Sequence, residues 1–171
     1  ERAARAGAMM FMTGYQSMDG VPSTASKWLL REVLKDEWGF PGVLVTDWDN
    51  VGRLVHEQKV AATYADAATM AIRAGNDLIM TTPKFYEGAI EAVKSGQLKE
   101  SEIDEPLRRL LALKFRMGLF ENPRRPDLAR AAAEVARPDH RAAVLDAARQ
   151  SLVLLQNDGL LPLDAARVKS I

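Results

Sequence analysis

Apolar residues in this chain fall into short blocks, and the spacing within each block separates strands from helices. Residues 8–12, Ala-Met-Met-Phe-Met, form a brief apolar run closed by Thr13-Gly14 and read as a buried strand. A polar, turn-forming stretch follows from Gln16 to Pro22. Residues 23–26, Ser-Thr-Ala-Ser, offer helix caps ahead of Trp28, Leu29, Leu30, Val33 and Leu34, which are apolar at helical spacing. Gly39 stops that helix. Val43-Leu44-Val45, bounded by Pro41-Gly42 and Thr46-Asp47, predicts a second buried strand. Residues 58–74 alternate with helical period, and Leu78-Ile79-Met80 after Gly75 predicts a third strand. Residues 84–95 and 101–117 read as helices with Gly96 between them.

Three strand–loop–helix units at similar spacing imply parallel strands with helical crossovers. Strands apolar on both faces suit a sheet covered by helices, or a barrel. Three units cannot close a barrel, which typically needs about 250 residues in eight units. The pattern therefore predicts an α/β segment of something larger. Pro123 to Pro126 reads as a linker, residues 128–150 as an Ala- and Arg-rich helix, and residues 151–162 as the start of another element. The basic residues of that helix, interleaved with acids, suit a solvated face.

In parallel α/β folds, functional side chains sit just past the carboxyl ends of strands. Asp47 follows Val45 by two residues and meets that condition. A carboxylate there could be a nucleophile, a base, a metal ligand or a helix cap. Trp48 beside it could stack on the apolar face of a sugar ring, or be core. Tyr15 follows the first strand as Asp47 follows the second, so its phenol could hold a carboxylate ionised, or be a rim tyrosine. Asp77 precedes the third strand, at the wrong end for catalysis, and reads as structural. Asp19 and Asp49 read as solvent-facing or capping residues, and His56 as a loop residue that could line a site.

Composition narrows the classes. Of 171 residues, 47% are hydrophobic and 27% charged, and 23 basic side chains balance 23 acidic ones. Such a chain can bury a core, but it has no electrostatic footprint for nucleic acid and no basic face for a membrane. There is no cysteine, hence no disulfide framework. No apolar run approaches a membrane span, and the charged-then-apolar start lacks the features of a signal peptide. The reading is of a soluble protein, with a periplasmic or secreted location left open. His56 and His140 have no partner at metal-ligand spacing, so neither a metal nor a cofactor is expected.

Four runs, in order, resemble family 3 glycoside hydrolases. The most diagnostic is Trp38-Gly39-Phe40-Pro41-Gly42-Val43-Leu44-Val45-Thr46-Asp47-Trp48, similar to the family's strand with its Ser- or Thr-Asp-Trp end. Upstream, Met10-Phe11-Met12-Thr13-Gly14-Tyr15 with Gly20-Val21-Pro22 resembles the preceding strand and loop. Downstream stand Ala74-Gly75-Asn76-Asp77-Leu78-Ile79-Met80 and the run from Ser151 to Leu163, similar to the passage into a second domain. Gln16 and Asp19 depart from the asparagines common in the family.

The resemblance implies the last three βα units of a TIM-like (β/α)8 barrel at residues 1–120. A linker and helix at 121–150 and the start of an α/β sandwich domain at 151–171 complete the expected layout. It implies retaining, exo-acting hydrolysis of terminal β-D-glucosyl residues. Asp47 is then the nucleophile, Trp48 a sugar-stacking wall and Tyr15 a neighbour supporting Asp47. The implied partners are a β-glucoside or oligosaccharide and the rest of the same enzyme, whose other sugar-binding residues lie on earlier strands. The family's usual acid/base glutamate falls beyond Ile171, so none is assigned here. The alternatives are a β-xylosidase, a β-N-acetylglucosaminidase, or a catalytically silent fragment, the last expected of these 171 residues in isolation.

Overall fold

The structure is a computed structural model that describes residues 1–164, Ala166 and Ser170. The chain divides into two compact units, Glu1–Pro123 and Arg124–Ile171.

The first unit is α/β. After a four-residue helix α1 (Arg2–Arg5), strand β1 (Met10–Met12) pairs in parallel with β4 (Val43–Val45), in the register Met10↔Val43, Phe11↔Leu44 and Met12↔Val45. Between them lie a hairpin of β2 (Ser17–Met18) and β3 (Val21–Pro22), a 3-10 turn (Ser23–Ala25) and a π-helix (Trp28–Glu37). The hairpin replaces part of the turn stretch expected from sequence. Its two-residue loop, Asp19-Gly20, has φ of 51° and 81°. Positive φ at both positions matches the twist of the flanking strands, and Asp-Gly is the sequence signal for it.

Four helices follow β4: α2 (Asn50–His56), α3 (Tyr64–Ala74), α4 (Phe85–Lys94) and α5 (Glu100–Arg116). Two expectations change here. Residues 58–63 are not helical; α3 begins at a capping box, in which the Thr63 hydroxyl accepts from Asp66 N and the Asp66 carboxylate accepts from Thr63 N. His56, expected in a loop, instead ends helix α2.

The third strand is reduced to one parallel bridge, Val45↔Leu78. The physical reason is that side chains take over its ladder. Asp77 Oδ2 accepts the Leu44 N–H at 2.9 Å, and Thr46 Oγ1 accepts the Met80 N–H at 2.9 Å. Between them run backbone bonds from Asp77 N and Leu78 N to Leu44 O and from Thr46 N to Leu78 O.

Val43 and Leu44, on opposite faces of β4, are both buried, as a strand covered on two sides requires. One cluster packs Leu44 with Leu30, Leu34, Phe40 and Ala74. A second joins Val51 and Leu54 of α2 to Ala61, Ala67 and Ala71. On β1, Phe11 packs edge-on against Phe40, with ring centroids 4.8 Å apart, whereas Met10 and Met12 on the alternate face are exposed. The sheet is thus closed on one side of β1 and open on the other.

In the second unit the expected single helix at 128–150 is two, α6 (Leu128–Glu134) and α7 (Pro138–Ser151). Ala136 at φ 59° and Pro138 at the first turn of α7 break the run. Beyond α7, Asn157 brackets a turn by exchanging hydrogen bonds with the backbone of Leu161. Residues 165, 167–169 and 171 of the expected 151–171 element lie outside the described residues.

Asp77 is structural. Lys35 Nζ lies 2.9 Å from its carboxylate with both side chains only 2% exposed, and it also donates to Gly75 O at 2.7 Å. Desolvation lowers the Lys35 pKa, and the Asp77 charge works against that shift. Lys35→Met should cost about 3–5 kcal/mol, because it removes the ammonium 2.9 Å from a buried carboxylate and leaves only Arg109 at 4.0 Å. Urea unfolding at neutral pH measures this, and a loss below about 1 kcal/mol would contradict it.

Glu102 gives an acid-side prediction. Its hydrogen bond from Arg73, then that from Lys99 N, lowers its pKa from 4.5 to about 2. A carboxyl lowered in the folded state stabilises above its ordinary pKa, so this contribution is present above about pH 4.5 and fades as pH falls toward 2. Melting temperature should therefore fall less steeply across that window in Glu102→Gln than in the parent. Equal slopes would contradict the assignment.

Candidate functional site

The carboxyl ends of the parallel segments are held level by hydrogen bonds across them. Thr13 N donates to Val45 O at 2.9 Å, Thr46 N to Leu78 O at 3.0 Å, and Asp49 N to Thr81 O at 3.1 Å. Residues that follow each segment therefore emerge at one edge. Tyr15 comes from β1, and Asp47 with Trp48 from β4.

Thr46 is fully buried, Asp47 half-buried, and Trp48 59% exposed. That gradient follows the strand as it leaves the core. Trp48 thus lies outside the buried core of this chain, its indole exposed at the strand end. The Tyr15 hydroxyl donates to the Trp48 carbonyl at 3.1 Å. Desolvation raises the phenol's pKa first, and the Asp47 carboxylate raises it further, as hydrogen-bond acceptor and as charge. The hydroxyl's hydrogen bond goes to the carbonyl next to Asp47, and the carboxylate itself lies close enough to act on the phenol. Tyr15, Asp47 and Trp48 are thus brought together.

The turn after Trp48 is shaped by Asp49, at φ 52°, which opens α2. Its carboxylate folds over the first turn of the helix instead of capping it, and reaches His56 Nε2 at 3.0 Å. A Cβ on Gly52 would collide with Asp49 Oδ1, so a larger residue there would push the carboxylate off this path. His56 is the last residue of α2 and pairs with Asp49 rather than facing Asp47.

Four contributors escaped sequence reasoning. Asn50, buried, donates from Nδ2 to Thr13 O at 3.1 Å, and Thr13 Oγ1 lies 3.4 Å from Thr24 Oγ1. Gln58 Nε2 donates to Tyr15 O at 2.9 Å. The Arg53 guanidinium lies 4.3 Å from the centroid of the Tyr15 ring. Thr46 contributes the hydroxyl that receives Met80 N. The apolar spacing Val51, Leu54, Val55 signals the helix that carries Asn50 and Arg53. No local signal points Gln58 at Tyr15.

Among the described residues no group of three or more His, Cys, Asp or Glu side chains is placed to hold a metal ion. No helix among them is long and apolar enough to cross a membrane. The arrangement presents one half-buried carboxylate beside a phenol and an exposed indole. Such a grouping can offer an anionic nucleophile or base to a ligand that stacks on an aromatic face.

Comparison with known proteins gives a consistent answer. The chain is 35% identical over 158 residues to a periplasmic beta-glucosidase of Salmonella typhimurium, covering 89% of this chain and 20% of that protein. It is 35% identical over 175 residues to a beta-xylosidase of Formosa agariphila, covering 97% of this chain and 24% of that one. A solved beta-glucosidase involved in saponin metabolism from intestinal bacteria superposes with a TM-score of 0.84 at 54% identity, over 98% of this chain and 22% of that chain. The beta-glucosidase from Listeria innocua in complex with glucose does so at 0.78 and 36%, over 94% and 22%. This chain thus spans a quarter or less of each. The model of the glycosyl hydrolase family 3 N-terminal domain matches residues 1–113, and the chain belongs to that family.

Proposed function

We propose that this chain is part of a retaining, exo-acting β-glycosidase in which Asp47 is the nucleophile. The observation that carries this is the position of Asp47. It lies half-buried, two residues past a parallel strand, beside the Tyr15 hydroxyl and next to the exposed face of Trp48. The relatives named above, beta-glucosidases and a beta-xylosidase, support a β-glycoside as substrate class.

In this reading residues 1–120 supply the last three βα units of a (β/α)8 barrel, residues 121–150 a linker and helix, and residues 151–171 the start of an α/β sandwich domain. The parallel β1–β4 pair, in which β1 has a described strand partner on one edge only, supports a sheet that continues in the same polypeptide.

An Asp47 oxygen attacks the anomeric carbon while an acid elsewhere in the polypeptide protonates the departing oxygen. The carbon–oxygen bond to the leaving group breaks and a covalent glycosyl-enzyme forms. Water, deprotonated by the same acid now acting as base, then releases the sugar with retained configuration. Retaining pairs of this kind stand about 5–5.5 Å apart, and the acid is assigned to a part of the polypeptide beyond Ile171. The Tyr15 hydroxyl stabilises the negative charge on Asp47 before attack. Trp48 provides the apolar wall on which a pyranose lies.

Glucoside is the favoured substrate. Xyloside is the second reading, because the Formosa agariphila beta-xylosidase is as similar to this chain as the Salmonella typhimurium beta-glucosidase. The full polypeptide should release product from an aryl β-glucoside faster than from the aryl β-xyloside, and the reverse order would favour the second reading. Asp47→Ala should lose several orders of magnitude in kcat on either substrate with an unchanged melting temperature. Near-parental turnover would contradict the role of Asp47.

A further inference from the structure

The helix after Asp47 carries a cation that the chemistry above leaves unused. Arg53 lies on α2, one turn past Asp49, and its guanidinium carbon stands 4.3 Å from the centre of the Tyr15 ring. On its other side Arg53 pairs with Glu57. Its Nε is enclosed, with no hydrogen-bond partner among the described residues, as expected of a guanidinium whose neighbour is an aromatic face. Two residues beyond α2, Gln58 Nε2 donates to the Tyr15 carbonyl at 2.9 Å. One short stretch therefore grips the ring and the backbone of the same tyrosine.

The stretch is rigidly placed. Val51 and Leu54 on the opposite face of α2 are fully buried, and Asn50 ties the start of the helix to Thr13 O. The backbone at Arg53 is consequently set by the core, and its side chain is held between Glu57 and the Tyr15 ring. Tyr15, in contrast, sits on a loop with Gly14 before it and an exposed Gln16 after it. Its described side-chain partners are the Trp48 carbonyl, the Asp47 carboxylate and Arg53.

We propose that Arg53 is a positioning residue for the Asp47 site, its guanidinium holding the Tyr15 ring so that the hydroxyl stays on the Trp48 carbonyl, beside Asp47. The inference rests on the reading of Asp47 as nucleophile. Arg53 does not touch the reacting atoms; it acts through the phenol. A planar guanidinium lies flat on a ring and an ammonium does not, so lysine should replace it only in part. The charge of Arg53 also counteracts the rise that burial and Asp47 impose on the phenol, which keeps the hydroxyl a better donor.

The test is a double-mutant cycle in the full polypeptide, with an aryl β-glucoside as substrate. It uses Arg53→Met, Arg53→Lys, Tyr15→Leu and the Arg53→Met/Tyr15→Leu pair, with Asp47→Asn alongside. Arg53→Met should lower kcat about fivefold while KM stays within about twofold, and Arg53→Lys should fall between it and the parent. In the Tyr15→Leu background Arg53→Met should add nothing, because the ring through which it acts is gone. Additive losses would overturn the proposal, as would a rise in KM with kcat unchanged, which would mean that Arg53 contacts the ligand directly. Melting temperatures report folding, and if Arg53→Met does not fold, Arg53→Lys carries the same cycle. An active Asp47→Asn enzyme would remove the parent reading itself. An inactive Asp47→Asn beside a parental Arg53→Met would remove the Arg53 role alone.

Discussion

Everything at this edge of the molecule depends on register between parallel segments. Thr13 N to Val45 O and Thr46 N to Leu78 O, at 2.9 and 3.0 Å, set the carboxyl ends of β1, β4 and the 77–80 segment level with one another. A slip of one residue along β4 would carry Asp47 to the opposite face, since side chains alternate along a strand. The same slip would separate Tyr15 from the Trp48 carbonyl. The proposed chemistry is thus a consequence of strand pairing before it is a property of any side chain.

Two polar devices hold that register where backbone pairing runs out. Below the site, the Asp77 carboxylate accepts the Leu44 N–H and binds Lys35, which reaches across from the π-helix. Nearer the rim, the Thr46 hydroxyl accepts Met80 N. A buried ion pair contributes little net stability against an apolar replacement. Its value here is geometric, because a carboxylate that must meet one amide and one ammonium permits one alignment of the 77–80 segment on β4. Arg109 and the Arg31–Glu105 pair surround this group with further charge.

Much of this was legible in sequence wherever an apolar run was bounded by turn residues. Val43-Leu44-Val45 is a strand, the parallel pairing with β1 is present, and α4 and α5 lie within a residue of their expected limits. The readings failed where a competing local interaction decides. The third strand shrank to a bridge because Asp77 and Thr46 side chains took its hydrogen bonds. The helix expected from residue 58 waits for its cap at Thr63, and the long helix of the second unit is cut at Ala136 and Pro138. At the site, Tyr15, Asp47 and Trp48 could be named because they stand immediately after strands. Arg53 and Gln58 could not, since their contact with Tyr15 exists only once α2 has packed its Val51 and Leu54 face into the core.

The central claim is that Asp47 forms a covalent bond to sugar. The most direct measurement is mass spectrometry of the proteolysed full polypeptide after incubation with an activated 2-deoxy-2-fluoro-β-glucoside, which slows release of the glycosyl-enzyme. The account predicts one added fluoroglycosyl group, on the peptide containing Thr46-Asp47-Trp48 and at the aspartate. Stoichiometric labelling of any other carboxylate would contradict it.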